Sequence, residues 1–153
     1  MFKFRCLPML AVSIALLVAG CATPQPSAET GGSLVGAWVV TASRPTGAGK
    51  NLLTFSSDGT FFRSGDTHPI LSGGHGTWKR AADGGFDATY IAFRFEQSGK
   101  WIGSTKTRIH IAPSSSANEF TGLAKVSTRD LLDNEVGTSE TRLEGRRIQV
   151  EPI

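Results

Sequence analysis

Apolar and polar residues alternate along two long stretches of this chain. In "FDATYIAFRFEQ", residues 86–97, Thr89, Ile91, Phe93 and Phe95 share one face, and Ala92, Arg94 and Glu96 share the other. In "KWIGSTKTRIHIA", residues 100–112, Thr105, Thr107, Ile109 and Ile111 oppose Ser104, Lys106, Arg108 and His110. A period of two with one apolar face is expected of antiparallel sheet laid over a core. Tyr90 and Trp101 depart from this alternation. Turn signals recur at short intervals: "SSDGT" at 56–60, "AADGG" at 81–85, "QSGK" at 97–100, "PSSSAN" at 113–118 and "LLDNE" at 131–135. Asp-Gly, Ser-Gly and Asp-Asn pairs favour the turns that join neighbouring antiparallel strands. The pattern predicts eight strands, at about 34–43, 50–57, 59–66, 74–82, 86–97, 100–112, 118–129 and 135–151. No window keeps a helical period for three turns.

Eight sequential strands with short connections and no helix to cover a sheet face can close on themselves, which removes exposed edges. The expected fold is therefore all-β, a single antiparallel up-and-down β-barrel over residues 34–153. A two-sheet sandwich is the alternative, and it needs a long crossover connection. Only the loops near 44–50 and 66–74 come close in length. A segment of this size suits one domain with one core.

The region before the strands has a different character. Lys3 and Arg5 precede an apolar run from Leu7 to Val18, interrupted by Pro8 and Ser13 and followed by small Ala19 and Gly20. That is the order of a secretory signal, and the run is shorter than the ~20 residues a spanning helix needs. Its end, "VAGC", resembles the lipobox of bacterial lipoproteins. The resemblance implies cleavage before Cys21, attachment of diacylglyceryl and palmitate-type acyl chains there, and retention at a membrane. Two or more acyl chains hold a protein stably where one does not. Ala22 in place of an aspartate points, by the same resemblance, to the outer membrane, facing the periplasm. Residues 1–20 are then a signal peptide, and residues 21–33, rich in Pro, Ser, Thr and Gly, a tether between lipid and barrel.

This assignment alters the chemistry open to the chain. Cys6 leaves with the signal and Cys21 is taken by lipid, so no thiol remains for a disulfide, a metal or a nucleophile. Without Lys3 and Arg5 the 16 basic residues fall to 14, facing 13 acidic ones. A near-neutral domain loses the electrostatic argument for nucleic acid. Arg142, Arg146 and Arg147 are interleaved with Glu140 and Glu144, as on a solvated strand face.

The first strand carries "LVGAWVV", and its Gly36-Ala37-Trp38 resembles the Gly-x-Trp signature of lipocalins and other calycins. In that family the glycine eases the strand into the barrel, the tryptophan plugs the closed end, and an arginine from the last strand lies across the indole. The resemblance assigns these roles to Gly36, Trp38 and either Arg146 or Arg147. The segments "GHGTWKR", "GKWIGSTKTRIHI", "EFTGLAKV" and "LEGRRIQVEP" are similar to secreted bacterial lipocalin-like domains without an established activity. The chain lacks the C-terminal helix, disulfide and Thr-Asp-Tyr motif of classical lipocalins. It also lacks the helical pair of fatty-acid-binding proteins, and the biotin-contacting set of avidins has no counterpart here.

The interior of an eight-stranded barrel is just wide enough to be filled by side chains or to hold one small ligand. Phe55, Trp78, Ile91, Phe93 and Phe95 are the residues expected to line a cavity. His68, His75 and His110 show no ligand-type spacing with each other or with acids, Asp66 beside His68 being the nearest pair, so neither a metal nor another cofactor is expected. "SGGHG" lacks the following helix and Lys-Ser/Thr of a phosphate loop. No Gly-x-Ser-x-Gly elbow is present.

These readings favour a lipid-anchored binding protein of the cell envelope that holds a small apolar or amphipathic molecule in its barrel. The alternative is a filled barrel that contacts or inhibits an envelope hydrolase through its loops near 44–50 and 66–74. An isomerase or cyclase activity within the barrel ranks third, and would need a buried acid or base facing a cavity.

Overall fold

The structure, a computed structural model, describes residues 33–44 and 47–153. The signal peptide, Cys21 and nearly all of the expected tether lie outside the described residues. Eight strands follow one another along the chain: β1 (Gly36–Arg44), β2 (Gly47–Phe55), β3 (Thr60–Gly65), β4 (Leu71–Arg80), β5 (Phe86–Phe95), β6 (Trp101–Pro113), β7 (Glu119–Arg129) and β8 (Glu135–Arg147). Each pairs antiparallel with its neighbours, and β1 pairs with β8, so the sheet is a closed up-and-down barrel. Closure leaves no edge strand to be covered by another segment.

Turn chemistry explains why the strands end where they do. In four hairpins the residue before the turn donates its N–H to the carbonyl four residues on and accepts from the N–H three residues on, as Ser56 does with Thr60 and Gly59. The left-handed position that this geometry requires is taken by Gly59, Gly84 and Gly99 and, in the β7–β8 turn, by Asp133. This is a type I turn closed by a residue in the left-handed region, a common short hairpin connection. The expected loop at 44–50 is largely strand: β1 and β2 pair as far as Arg44 opposite Gly47. The 66–74 connection shortens to the residues between Gly65 and Leu71.

The inward rows of β1, β2 and β6 run from bulky to small. From one end to the other it reads Trp38, Val40, Ala42 in β1; Phe55, Leu53, Asn51 in β2; and Ile111, Ile109, Thr107, Thr105 in β6, all of them buried. Phe61, Phe86 and Phe120 join Trp38 and Phe55 in the bulky layer. Their rings pack edge to face or offset, Trp38 against Phe120 at 4.9 Å and Phe55 against Phe61 at 5.0 Å between centroids. Such pairs add roughly 0.5–1.5 kcal/mol beyond burial itself. One end of the barrel is therefore filled with aromatic side chains, and the other is not.

The alternation in β5 is real, but its inner face is the opposite of the one expected. Phe86, Ala88 and Ala92 are buried, with Tyr90 packed against the core, whereas Ile91 and Phe93 are 49% and 53% exposed on the outer wall. Register is the reason. Ala88, Tyr90 and Ala92 lie opposite Ile109, Thr107 and Thr105 of β6, and residues directly opposite share a face. On the β4 side they face Trp78, Gly76 and Gly74. A Cβ on Gly74 would come within 2.5 Å of the Tyr90 ring, so the glycine leaves the space that the ring occupies. Outside, Phe93 packs edge-on against Trp101.

Candidate functional site

The plugged end is built around Trp38. Its indole N–H donates to the Leu34 carbonyl at 2.9 Å, and its ring supports the Arg147 guanidinium, whose Cζ is 4.2 Å from the ring centroid. Trp38 and Arg147 are direct partners in the β1–β8 ladder. Arg147 donates Nη1 to the Val35 carbonyl and Nη2 to that of Ser33, while Nε and Nη2 share the Ala117 carbonyl. Gly36 has φ +132°, and a Cβ there would sit 2.5 Å from Arg147 Nη1, so the position needs glycine on two counts. Arg146 points the other way, 84% exposed beside Glu119. Of the two arginines considered from sequence, Arg147 is the one across the indole.

At the opposite end a cavity of about 190 Å³ opens between the inward rows. Val40, Leu53, Ile109, Ala124 and Leu143 form an apolar floor above the aromatic layer. Higher on the wall are Asn51, Arg63, Thr105, Thr107, Ser139 and Thr141, with Arg44, Thr67 and Leu71 toward the opening. None of the five residues expected to line a cavity does so. Phe55 and Trp78 belong to the filled aromatic end, where the Trp78 indole N–H donates to the Ser56 carbonyl. Ile91 and Phe93 are outside. Phe95 is half-buried beyond a register shift in the β5–β6 ladder.

Arg63 is the charged residue at the centre of this wall. It is only 4% exposed. Its Nε donates to Asn51 Oδ1 at 2.8 Å, Nη2 to Thr67 Oγ1 at 3.1 Å and Nη1 to the Ser72 carbonyl at 3.5 Å. All three acceptors are neutral, and among the described residues Arg63 forms no ion pair. Room for the guanidinium is made by Gly65, where a Cβ would overlap it and crowd Asn51 Oδ1. Burial holds its pKa below the ordinary value; Tyr90 and Asp66 oppose this, and Arg44 reinforces it. Arginine nevertheless keeps its proton. Burying such a charge costs several kcal/mol, and what offsets it here is hydrogen bonding to neutral acceptors, the one to Ser72 at the long limit of 3.5 Å, with no counter-ion.

The other polar groups of the wall are similarly open. Tyr90 leans over Gly74, and Gly74 is the cross-strand partner of Arg63, which places phenol and guanidinium on adjoining parts of the wall. Among the described residues the hydroxyls of Tyr90, Thr105, Thr107 and Thr141 have no hydrogen-bond partner. The sequence signal for the cavity lay in the inward rows, where Ala42, Ala92, Ala124 and three threonines follow the aromatics. In β5 it is masked because both faces of the strand carry apolar residues.

The histidines are not brought to the cavity. His75 packs its ring on Phe62. His110 lies on the outer wall between Asp87, 2.9 Å from Nδ1, and Asp83, 3.1 Å from Nε2. Asp66, near His68 in sequence, accepts the Lys50 backbone N–H at 2.7 Å. Among the described residues no three His, Cys, Asp or Glu side chains are grouped to hold a metal ion. Comparison of the chain with known protein families, with curated proteins and with solved structures gives no match.

Proposed function

We propose that this protein is a binding module that holds a small amphipathic molecule in the open half of its barrel. The observation that carries this reading is the division of the cavity into an apolar floor and a wall of hydroxyls, amide and guanidinium. A solute with one apolar and one polar end matches both surfaces at once. The cavity is smaller than the ~300–1,000 Å³ usual for drug-sized ligands, so it suits a short molecule or one whose further length leaves through the opening. The presence of the cavity favours this reading over a filled barrel working through its loops, and the reading assigns no reaction.

The location belongs to the same proposal. The basic, apolar and small-residue order before Cys21 and the "VAGC" lipobox support export and lipid attachment at Cys21, with the lipocalin-like barrel held at the outer membrane and facing the periplasm. Metabolic labelling with palmitate tests this part: label is expected on the whole chain and absent from Cys21→Ser. For the ligand, the closed barrel permits expression of a chain starting at Thr30. Solvent extraction and mass spectrometry should then recover a stoichiometric amphiphile, or added amphiphiles should bind by calorimetry. Failure of both would overturn the binding reading.

A further inference from the structure

The unpaired Arg63 says more about the ligand than that it is amphipathic. We propose that the cavity selects a monoanion, a medium-chain alkyl monocarboxylate whose head meets Arg63 and Tyr90 while its alkyl part lies on the apolar floor. The inference rests on the cavity reading above and adds a charge to it. A guanidinium offers five N–H donors, and the three hydrogen bonds of Arg63 leave donors on its Nη atoms for a guest. A planar carboxylate matches that fork, and in a low-dielectric wall the pair is worth much more than in water.

Three features of the site agree on a single negative charge. Arg63 is buried without an acidic partner, so an incoming anion supplies the counter-charge that the protein does not. The Tyr90 hydroxyl has no partner among the described residues and adjoins Arg63 through Gly74, giving a neutral donor beside the charged one. Arg44 lines the outer part of the same cavity, where Asp66 lies close by: a Cβ on Gly49 would be 3.2 Å both from Arg44 Nη2 and from Asp66 Oδ1. One buried cation and a balanced rim suit a carboxylate better than a doubly charged phosphate. The floor, formed by Val40, Leu53, Ile109, Ala124 and Leu143, then receives the tail.

Calorimetric titration of the chain from Thr30 with four eight-carbon probes tests this. Octanoate is expected to bind roughly tenfold or more tightly than octan-1-ol, with octylammonium weakest and octyl phosphate weaker than octanoate. In Arg63→Met the octanoate preference should vanish while octan-1-ol changes less than about twofold. Tyr90→Phe, a milder change, should weaken octanoate about three- to tenfold and leave the alcohol alone; it carries the test if Arg63→Met does not give the wild-type circular dichroism spectrum. Equal binding of octanoate and octan-1-ol by the unaltered chain overturns the anion assignment but leaves the cavity reading standing. Binding of none of the four overturns the anion assignment, and the cavity reading falls with it where extraction also recovers no amphiphile. Octyl phosphate binding more tightly than octanoate overturns the choice of a carboxylate, and unchanged octanoate affinity in a folded Arg63→Met overturns the role given to Arg63.

Discussion

Arg147 lies over the face of Trp38, 4.2 Å from the ring centroid, and the two residues are also direct partners across the β1–β8 seam. The contact thus joins the first strand to the last at the point where the barrel closes. It also ties three backbone carbonyls, those of Ser33, Val35 and Ala117, to one side chain. Arg147→Ala should destabilise the barrel by about 2–4 kcal/mol, since it removes a cation–π contact and several charged hydrogen bonds whose exposed donors and acceptors water partly satisfies in the variant. Arg147→Lys should recover only part, since an ammonium cannot reproduce the planar fork. Arg146→Ala, which removes an exposed pair with Glu119, should change stability by less than about 0.5 kcal/mol. Urea unfolding of the three variants checks the contrast.

Gly36 supports the same contact from below. Gly36→Ala places a methyl group 2.5 Å from Arg147 Nη1 at a backbone φ of +132°, so Arg147 must leave the indole. A loss of about 2 kcal/mol or more is expected from the combination of backbone strain and lost contacts. The emission spectrum of the tryptophans should shift in the folded state as the cation moves away.

Ala117 offers the opposite case. It holds φ +57° in the β6–β7 turn with no side-chain hydrogen bond to justify the left-handed conformation. Ala117→Gly relieves roughly 1 kcal/mol of steric cost, less the entropy glycine gains when unfolded. Its carbonyl remains available to Arg147. A small rise in the unfolding midpoint is the expected result.

His110 gives the folded state a weak dependence on pH. The hydrogen bond to Asp87, chiefly, and the charges of Asp83 and Asp87 raise its pKa above the ordinary 6.5, against a smaller opposing effect of burial. Because the folded pKa is the higher one, the stabilisation is complete below about 6.5 and is lost as pH rises through the folded value. The ring is nearly half exposed, so solvent screens the effect. Proton NMR should show the raised pKa, and His110→Gln should flatten the decline in stability between mildly acidic and mildly alkaline pH.

Two substitutions separate the true wall of the cavity from the aromatics outside it. Ala124→Phe fills space above the floor and should lower amphiphile affinity by at least about tenfold without unfolding the barrel. Phe93→Ser, on the outer wall, should leave affinity unchanged and cost roughly 1 kcal/mol or less. Paired calorimetric and denaturation measurements read both effects.

What the sequence by itself determined was local. Asp58-Gly59, Asp83-Gly84 and Ser98-Gly99 place residues able to take positive φ between strand-forming runs, and those turns set eight strands in order with connections too short for anything but neighbours. Gly36 and Trp38 marked the plugged end but left Arg146 and Arg147 as equal candidates; the burial of Thr141, Leu143 and Gly145 in the folded β8 sets the parity that turns Arg147 inward and Arg146 outward. The tertiary structure decided what alternation alone leaves symmetric. In β5 either face of "ATYIAF" is mostly apolar, and the inner one was selected by pairing with Thr105, Thr107 and Ile109 on one side and with Gly74, Gly76 and Trp78 on the other. Only that register places Tyr90 on the inner wall beside Arg63. A buried charge whose partners come from β2, the β3–β4 connection and β4 is a product of the tertiary fold, because no local pattern records which distant side chains will share one enclosed volume.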